Sequence, residues 1–194
     1  MVNLNSHLLL NAYSQGIFPM AQPDGAIYWY DPDPRAILPL DSFHVSRSLA
    51  RRIRRGGFEI RVDSDFRTVI TACAEPASGR ESTWISPEII AAYCELHELG
   101  FAHSVETWVE GELAGGLYGV TLGGLFAGES MFSRATDASK IALVYLVERL
   151  KRRRFQLLDI QFMTEHLRRF GAIEIPRHRY QQYLEKALQI WTRF

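Results

Sequence analysis

The stretch that decides the fold spans residues 124–162 and reads GLFAGESMFSRATDASKIALVYLVERLKRRRFQLLDIQF. Residues 124–131 form an apolar, glycine-containing strand, residues 138–153 place apolar residues at helical spacing, and residues 157–162 form a short apolar strand. A helix that joins two strands of one sheet makes a crossover, so we expect these strands to be parallel.

The flanking segments supply further strands and helices. Residues 103–109 and 113–122 alternate as an antiparallel hairpin, and residues 58–62 alternate as another strand. Helical patterns and one more short strand complete the prediction: helices at residues 46–55, 65–74, 87–99, 164–170 and 180–191, and a strand at residues 173–175. We therefore predict an α/β fold (α+β), a mixed sheet with helices packed on it.

The amino-terminal residues differ from the rest. A helix is predicted at residues 8–15, followed by a loop that Pro19, Pro23, Pro32 and Pro34 prevent from being helical. We expect a small irregular unit at residues 1–34 and the main domain at residues 35–194.

Composition narrows the class of protein. With 47% hydrophobic and 23% charged residues, the chain is neither disordered nor collagen-like. Two cysteines cannot form a disulfide framework, and no segment is typical of a signal peptide or a membrane span. We expect a cytoplasmic monomer that does not bind membranes.

Net charge is zero, yet the basic residues are clustered. One cluster consists of Arg47, Arg51, Arg52, Arg54 and Arg55, and the other of Lys151, Arg152, Arg153 and Arg154. Such clusters suit a partner held through its phosphates, but they are also common at solvated helix ends. Both interpretations remain open.

Polar residues interrupt two apolar strands. Asp159 and Gln161 lie two residues apart, so both should project from one face of their strand. A carboxylate beside an amide can orient an attacking amine and an ester carbonyl, although strand ends often expose polar residues. Glu129 also lies in an apolar strand, where its carboxylate needs an explanation. Either it pairs with Arg134 or it belongs to a catalytic site.

Other kinds of site are poorly supported. The glycine-rich residues 115–128 lack the lysine of a phosphate-binding loop and lie between strands, and no G-x-S-x-G motif is present. Cys94, His97 and His103 are too few to complete a zinc site. The aromatic residues Trp29, Tyr30 and Trp84 lie in predicted loops, where they suit either base stacking or packing. We expect no metal and no cofactor.

Several motifs together make the sequence recognisable. They are AYSQGIFP (residues 12–19), DPDPR (31–35), TWI (83–85), LHELG (96–100), AHSVE (102–106), GGLYGV (115–120), GESMFSR (128–134), ASK (138–140), LDIQ (158–161) and GAIEIPR (171–177). In this order the chain resembles the leucyl/phenylalanyl-tRNA–protein transferase family. The resemblance covers nearly the whole chain, and GESMFSR is its most specific part.

The resemblance implies an acetyltransferase-like (GNAT) main domain. It implies transfer of leucine or phenylalanine, less often methionine, from aminoacyl-tRNA to proteins that begin with arginine or lysine, which marks them for degradation. It also implies that Asp159, Gln161 and Glu129 form the catalytic group and that Trp84 contacts the terminal adenosine of the tRNA. The implied amino-acid pocket consists of Leu117, Phe126, Gly128, Met131, Leu143, Leu146, Leu150 and Leu158.

The sequence departs from the family at three points. Met20 stands where many members have a tryptophan that would stack on the tRNA 3′ end. Some members have aromatic residues at the positions of Leu146 and Leu150. The preference among the transferred amino acids is therefore expected to shift. Members usually carry a further amino-terminal stretch, so the unit at residues 1–34 is expected to be incomplete relative to the family.

Two other functions are alternatives to this one. An acetyl-CoA-dependent N-acetyltransferase needs an R/Q-x-x-G-x-G/A loop before a helix, whereas the nearest string, residues 168–173, ends in isoleucine and follows a helix. A non-catalytic RNA-binding module would use the basic clusters but leaves Asp159 and Gln161 unexplained.

Overall fold

A computed structural model describes residues 4–76 and 82–194. Residues 1–3 of the expected first unit lie outside the described residues. The elements are α1 (Ser6–Ser14), β1 (Phe18–Ala21), β2 (Ile27–Tyr30), β3 (Arg35–Ile37), α2 (Arg47–Arg55), β4 (Glu59–Val62), α3 (Phe66–Ala74), α4 (Pro87–Glu98), β5 (Ala102–Val109), β6 (Glu112–Leu122), β7 (Leu125–Ser133), α5 (Ala138–Arg152), β8 (Leu157–Gln161), α6 (Glu165–Arg168), β9 (Ile173–Ile175) and α7 (Arg177–Leu188).

The main sheet has seven strands in the order β4-β5-β6-β7-β8-β3-β9. Strands β7 and β8 are parallel and are joined by α5, whereas the other neighbouring pairs are antiparallel. The predicted crossover and the mixed α/β class are therefore confirmed. The apolar run of β8 follows from its position inside the sheet, where both of its edges are paired.

One strand of the main sheet and a separate two-stranded sheet were not predicted. Strand β3 lies between β8 and β9, but three residues are too few to show an alternating pattern. The expected irregular loop instead contains an antiparallel hairpin, β1–β2, that pairs Phe18 with Tyr30. Pro19 is tolerated in β1 because a strand of a two-stranded sheet has a free edge.

The hydrophobic core lies on both faces of the sheet. One cluster of buried residues joins α1, β1, α3, α4 and α7 to the sheet, and the second joins α2 and α5 to it. Leu9, Tyr13 and Phe18 belong to the first cluster, so the amino-terminal elements share their core with the rest of the chain.

The start of α5 has no side-chain cap. Asp137, which precedes the helix, adopts a left-handed conformation with φ 65° and makes no side-chain capping bond. Its carboxylate instead accepts from Lys140 Nζ at 2.6 Å. By contrast, α2 is capped by Ser46, whose Oγ accepts from the Leu49 amide.

In the parts of the chain that the structure describes, no helix is both long enough and apolar enough to span a membrane.

Candidate active site

A cavity of about 380 Å³ opens where β7 and β8 separate. Their last registered pair is Ala127 with Asp159, while β7 continues to Ser133 along β6. The space between the separated strands is bounded by α5 on one side and by the segment after β8 on the other. We call it the β7–β8 cavity.

Most of the predicted pocket residues line this cavity. They are Leu117, Gly128, Met131, Leu143, Leu146 and Leu158. The other two, Phe126 and Leu150, do not line the cavity and are fully buried in the core. Phe126 lies where β7 is still paired with β8, and Leu150 lies one helical turn beyond Leu146, so neither reaches the opening.

Glu129 enters the cavity because of a bulge in β7. Tyr118 pairs with Ser130 and Gly119 with Gly128, so Glu129 is the extra residue between them. Its Oε1 accepts from Tyr13 Oη at 2.7 Å and from Gln161 Nε2 at 2.8 Å. The alternative partner proposed from sequence, Arg134, instead pairs with Glu75.

The environment of Glu129 shifts its titration. Burial raises the pKa of the carboxyl from 4.5 to about 7, against the opposing effect of hydrogen bonds from Tyr13 and Gln161. Tyr13 and Tyr93 also hydrogen-bond to each other. Burial raises the pKa of both phenols well above 10.0, so both stay protonated at neutral pH. Glu129 is therefore a carboxyl group whose charge changes near neutral pH.

Asp159 has a different environment. Arg35 donates to it twice, from Nε to Oδ1 at 3.0 Å and from Nη2 to Oδ2 at 2.6 Å, and both side chains are 1% exposed. Tyr180 Oη donates to Oδ2 at 2.8 Å. The carboxylate therefore anchors β8 to β3 and α7.

Asp159 and Gln161 do not enter the cavity together, although their spacing predicted a shared strand face. Gln161 lines the cavity and Asp159 does not. The reason lies in the backbone, since Gln161 has φ 63° and leaves the extended conformation. Its amide N–H bonds to Asp159 Oδ1 at 2.9 Å, so Asp159 fixes the turn that directs Gln161.

Both residues expected at the tRNA 3′ end, Met20 and Trp84, line the cavity. Ala21 N donates to Trp84 O at 3.1 Å, which fastens the β1–β2 hairpin to the loop before α4. Phe162 also lines the cavity and is 44% exposed, with its ring edge-on to Phe18 at 5.7 Å. Trp84 lies in a loop as predicted, whereas Trp29 and Tyr30 lie in β2.

Sequence reasoning missed several residues of this site. They are Tyr13, Arg35, Tyr93, Phe162, His166 and Tyr180. Tyr13 and Arg35 lie within motifs shared with the family, and these motifs could have identified both residues as candidates for the site. No local pattern marks the others, because they come from distant parts of the chain.

The two basic clusters lie in different places. The first lies along α2, which packs against α5. Within it, Arg52 Nη1 donates to the carbonyl oxygen of Gly56, just after the helix, at 2.6 Å. The second lies at the carboxyl end of α5, about 12 Å along the helix axis from Leu143. Lys151 and Arg154 line a separate cavity there.

Within the described residues, no group of three or more His, Cys, Asp or Glu side chains could hold a metal ion. The two histidines considered as ligands have other contacts. His97 Nδ1 lies 2.8 Å from Ala102 O, and His103 Nδ1 lies 2.7 Å from Asp63 Oδ2.

Solved structures give only weak likenesses. Superposition on the structure of L-PGS from Bacillus licheniformis has a TM-score of 0.42 at 15% identity and covers 77% of this chain and 50% of that chain. A conserved protein of unknown function from Bacteroides thetaiotaomicron gives 0.46 at 10% identity, covering 98% and 66%. The chain thus spans less than two thirds of either structure.

Sequence comparisons are much stronger. The chain is 62% identical over 192 residues to the leucyl/phenylalanyl-tRNA–protein transferase of Herpetosiphon aurantiacus, covering 98% of each chain. The protein of the same name from Ruegeria pomeroyi is 54% identical, and the match covers 96% of this chain and 88% of that protein. The one from Gloeobacter violaceus is 55% identical, and the match covers 100% of this chain and 99% of that protein.

Two family models match nearly the whole chain. Residues 3–33 match the leucyl/phenylalanyl-tRNA protein transferase N-terminal domain, and residues 37–185 match the leucyl/phenylalanyl-tRNA protein transferase model. With these matches and relatives at more than half identity, the chain belongs to the leucyl/phenylalanyl-tRNA protein transferase family.

Proposed function

We propose that this enzyme, an aminoacyl-tRNA–protein transferase, moves leucine or phenylalanine, less often methionine, from tRNA to proteins that begin with arginine or lysine. The acceptor is the α-amino group, and the product is marked for degradation. One observation carries the proposal: the β7–β8 cavity has apolar walls and contains a buried carboxyl–amide pair, Glu129 and Gln161.

The walls suit an apolar amino acid. Leucine side chains from β6, α5 and β8 surround the space, so burial stabilises a bound apolar side chain by about 25 cal/mol per Å². A charged side chain would lose its hydration without gaining a partner on these walls, at a cost of several kcal/mol. One methylene changes binding by only about 1–3 kcal/mol, which fits the use of more than one apolar donor.

The polar side of the cavity suits aminolysis of an ester. The α-amine attacks the ester carbonyl carbon, a carbon–nitrogen bond forms, and the bond to the ribose 3′ oxygen breaks. We assign Glu129 as the group that accepts the amine proton and returns it to the departing oxygen. Its pKa of about 7 fits this role, and general base catalysis contributes about 10²–10⁴-fold. Gln161 orients the amine through its amide carbonyl.

Asp159 acts in this scheme by positioning Gln161. Both of its oxygens already accept hydrogen bonds, from Arg35, Tyr180 and the Gln161 amide, and Asp159 does not line the cavity. These contacts favour a role for Asp159 in orienting the side chain of Gln161 over a role as the proton acceptor.

Trp84 and Met20 are proposed to hold the terminal adenosine, because both lie on the cavity wall beside exposed Phe162. The basic clusters are proposed to contact phosphates. We also propose that the main domain, residues 35–194, has an acetyltransferase-like fold. The mixed sheet with one crossover supports that assignment.

A transfer assay tests the function. The protein is incubated with labelled Leu-tRNA and a peptide that begins with arginine, and separately with labelled acetyl-CoA and the same peptide. We expect label in the peptide only with the tRNA donor. Acetyl transfer would establish an N-acetyltransferase instead, and tRNA binding without transfer to any acceptor would establish an RNA-binding module.

A further inference from the structure

A second cavity adjoins the β7–β8 cavity at His166. It measures about 330 Å³ and lies between the start of α2, the start of α5 and the end of α6. Its polar lining includes His44, Ser46, Ser48, Lys140, His166 and Arg169. We call it the α2 cavity. His166 lines both spaces, so the two cavities have this side chain in common.

The charges of the α2 cavity favour an anion. Lys140 and Arg169 line it together with a single carboxylate, that of Asp137, which pairs with Lys140 at 2.6 Å. Among the residues that the structure describes, Arg169 pairs only with the exposed Glu165, at 3.6 Å, and an exposed ion pair of this kind contributes little stability. A larger neighbouring cavity, about 670 Å³, is lined by Arg134 and Lys140 and by two carboxylates that neutralise them.

His166 has an unused hydrogen-bonding atom at this junction. Its Nε2 is buried and has no hydrogen-bond partner among the described residues. Burial lowers the pKa of the imidazole, and the neighbouring Lys140 and Arg169 lower it further, so the ring is neutral at pH 7. A neutral imidazole nitrogen suits a ribose hydroxyl, and a buried polar atom without a partner is costly.

The α2 cavity also connects the site to one basic cluster. Helix α2 begins beside the α2 cavity at Arg47. The other exposed arginines of this cluster follow along the helix: Arg51, Arg54 and Arg55. The Lys151–Arg154 cluster lies at the opposite end of α5 and borders a different cavity. The first basic cluster therefore starts at the α2 cavity, which shares His166 with the β7–β8 cavity.

We propose that the α2 cavity binds the sugar–phosphate backbone of the tRNA nucleotides next to the aminoacylated adenosine. Lys140 and Arg169 contact phosphate oxygens, and His166 contacts a ribose hydroxyl. This inference rests on the proposed function, since it assumes that the aminoacyl group occupies the β7–β8 cavity.

Two minimal donors test the inference. Phenylalanyl-adenosine contains no phosphodiester, whereas phenylalanyl-CpCpA does. Arg169→Ala should raise KM for the trinucleotide donor several-fold and leave KM for the adenosine donor unchanged. Its matched control is Arg168→Ala, because Arg168 is also exposed and also pairs with Glu165 but does not line the cavity. Lys140→Ala is a second variant with the same expectation.

Salt provides an independent measurement. With intact aminoacyl-tRNA as the donor, each lost phosphate contact should reduce the slope of log KM against log salt by about 0.7–0.9. Equal effects of Arg169→Ala and Arg168→Ala, or an equal loss with the adenosine donor, would overturn the inference and leave the proposed function standing. Failure of the wild type with both donors would overturn both.

Discussion

Replacing Tyr13 with phenylalanine tests whether Glu129 is the proton acceptor. Tyr13 Oη donates to the carboxylate at 2.7 Å, and this bond stabilises the charged form. Its loss should therefore raise the pKa of Glu129 above about 7. A hydrogen bond to a charged group contributes about 1.5–3 kcal/mol, and 1.36 kcal/mol corresponds to one pKa unit, so the shift should be about one to two units.

The assay is the pH dependence of kcat/KM for peptide transfer from roughly pH 6 to 10. Activity requires the ionised carboxylate, so the rising limb should move to higher pH in Tyr13→Phe. The acceptor amine also titrates in this range, but equally for both enzymes, so the difference reports on Glu129. Tyr93→Phe is the control, since Tyr93 contacts the carboxylate only at 3.5 Å and should give a smaller shift. Coincident wild-type and Tyr13→Phe profiles would refute the assignment.

Three further predictions concern stability and specificity. Because the folded-state pKa of Glu129 is raised from 4.5 to about 7, the wild type should lose up to about 3 kcal/mol of unfolding free energy relative to Glu129→Gln as pH rises through this interval. Denaturant unfolding at several pH values measures this, and parallel curves would contradict it. Arg35→Leu and Asp159→Ala should each cost about 3–5 kcal/mol, because each leaves a buried unpaired charge; unchanged melting temperatures would disprove this. Leu146→Phe should reduce kcat/KM for Phe-tRNA more than for Leu-tRNA by filling the cavity, whereas Leu150→Met, outside the wall, should change the ratio little. An unchanged ratio in Leu146→Phe would mean that the side chain binds elsewhere.

Sequence predicted the parts of this protein that depend on neighbours along the chain. The apolar periodicity of α5 and the apolar runs of β7 and β8 follow from burial of one helix face and of strands inside a sheet. Chain connectivity then makes β7 and β8 parallel. The motifs likewise pointed to the family and to Glu129 and Gln161, since these residues stand out as polar within apolar strands.

Only the tertiary structure determined where each polar side chain lies and which groups it contacts. Asp159 looks equivalent to Gln161 in the strand, but Arg35, far away in sequence, occupies its carboxylate, and the positive φ of Gln161 directs the amide into the cavity. Glu129 enters the cavity through a bulge that depends on pairing with β6, and its pKa follows from burial beside Tyr13. Burial and hydrogen-bond partners arise from contacts between distant segments, and no local pattern in the sequence specifies them.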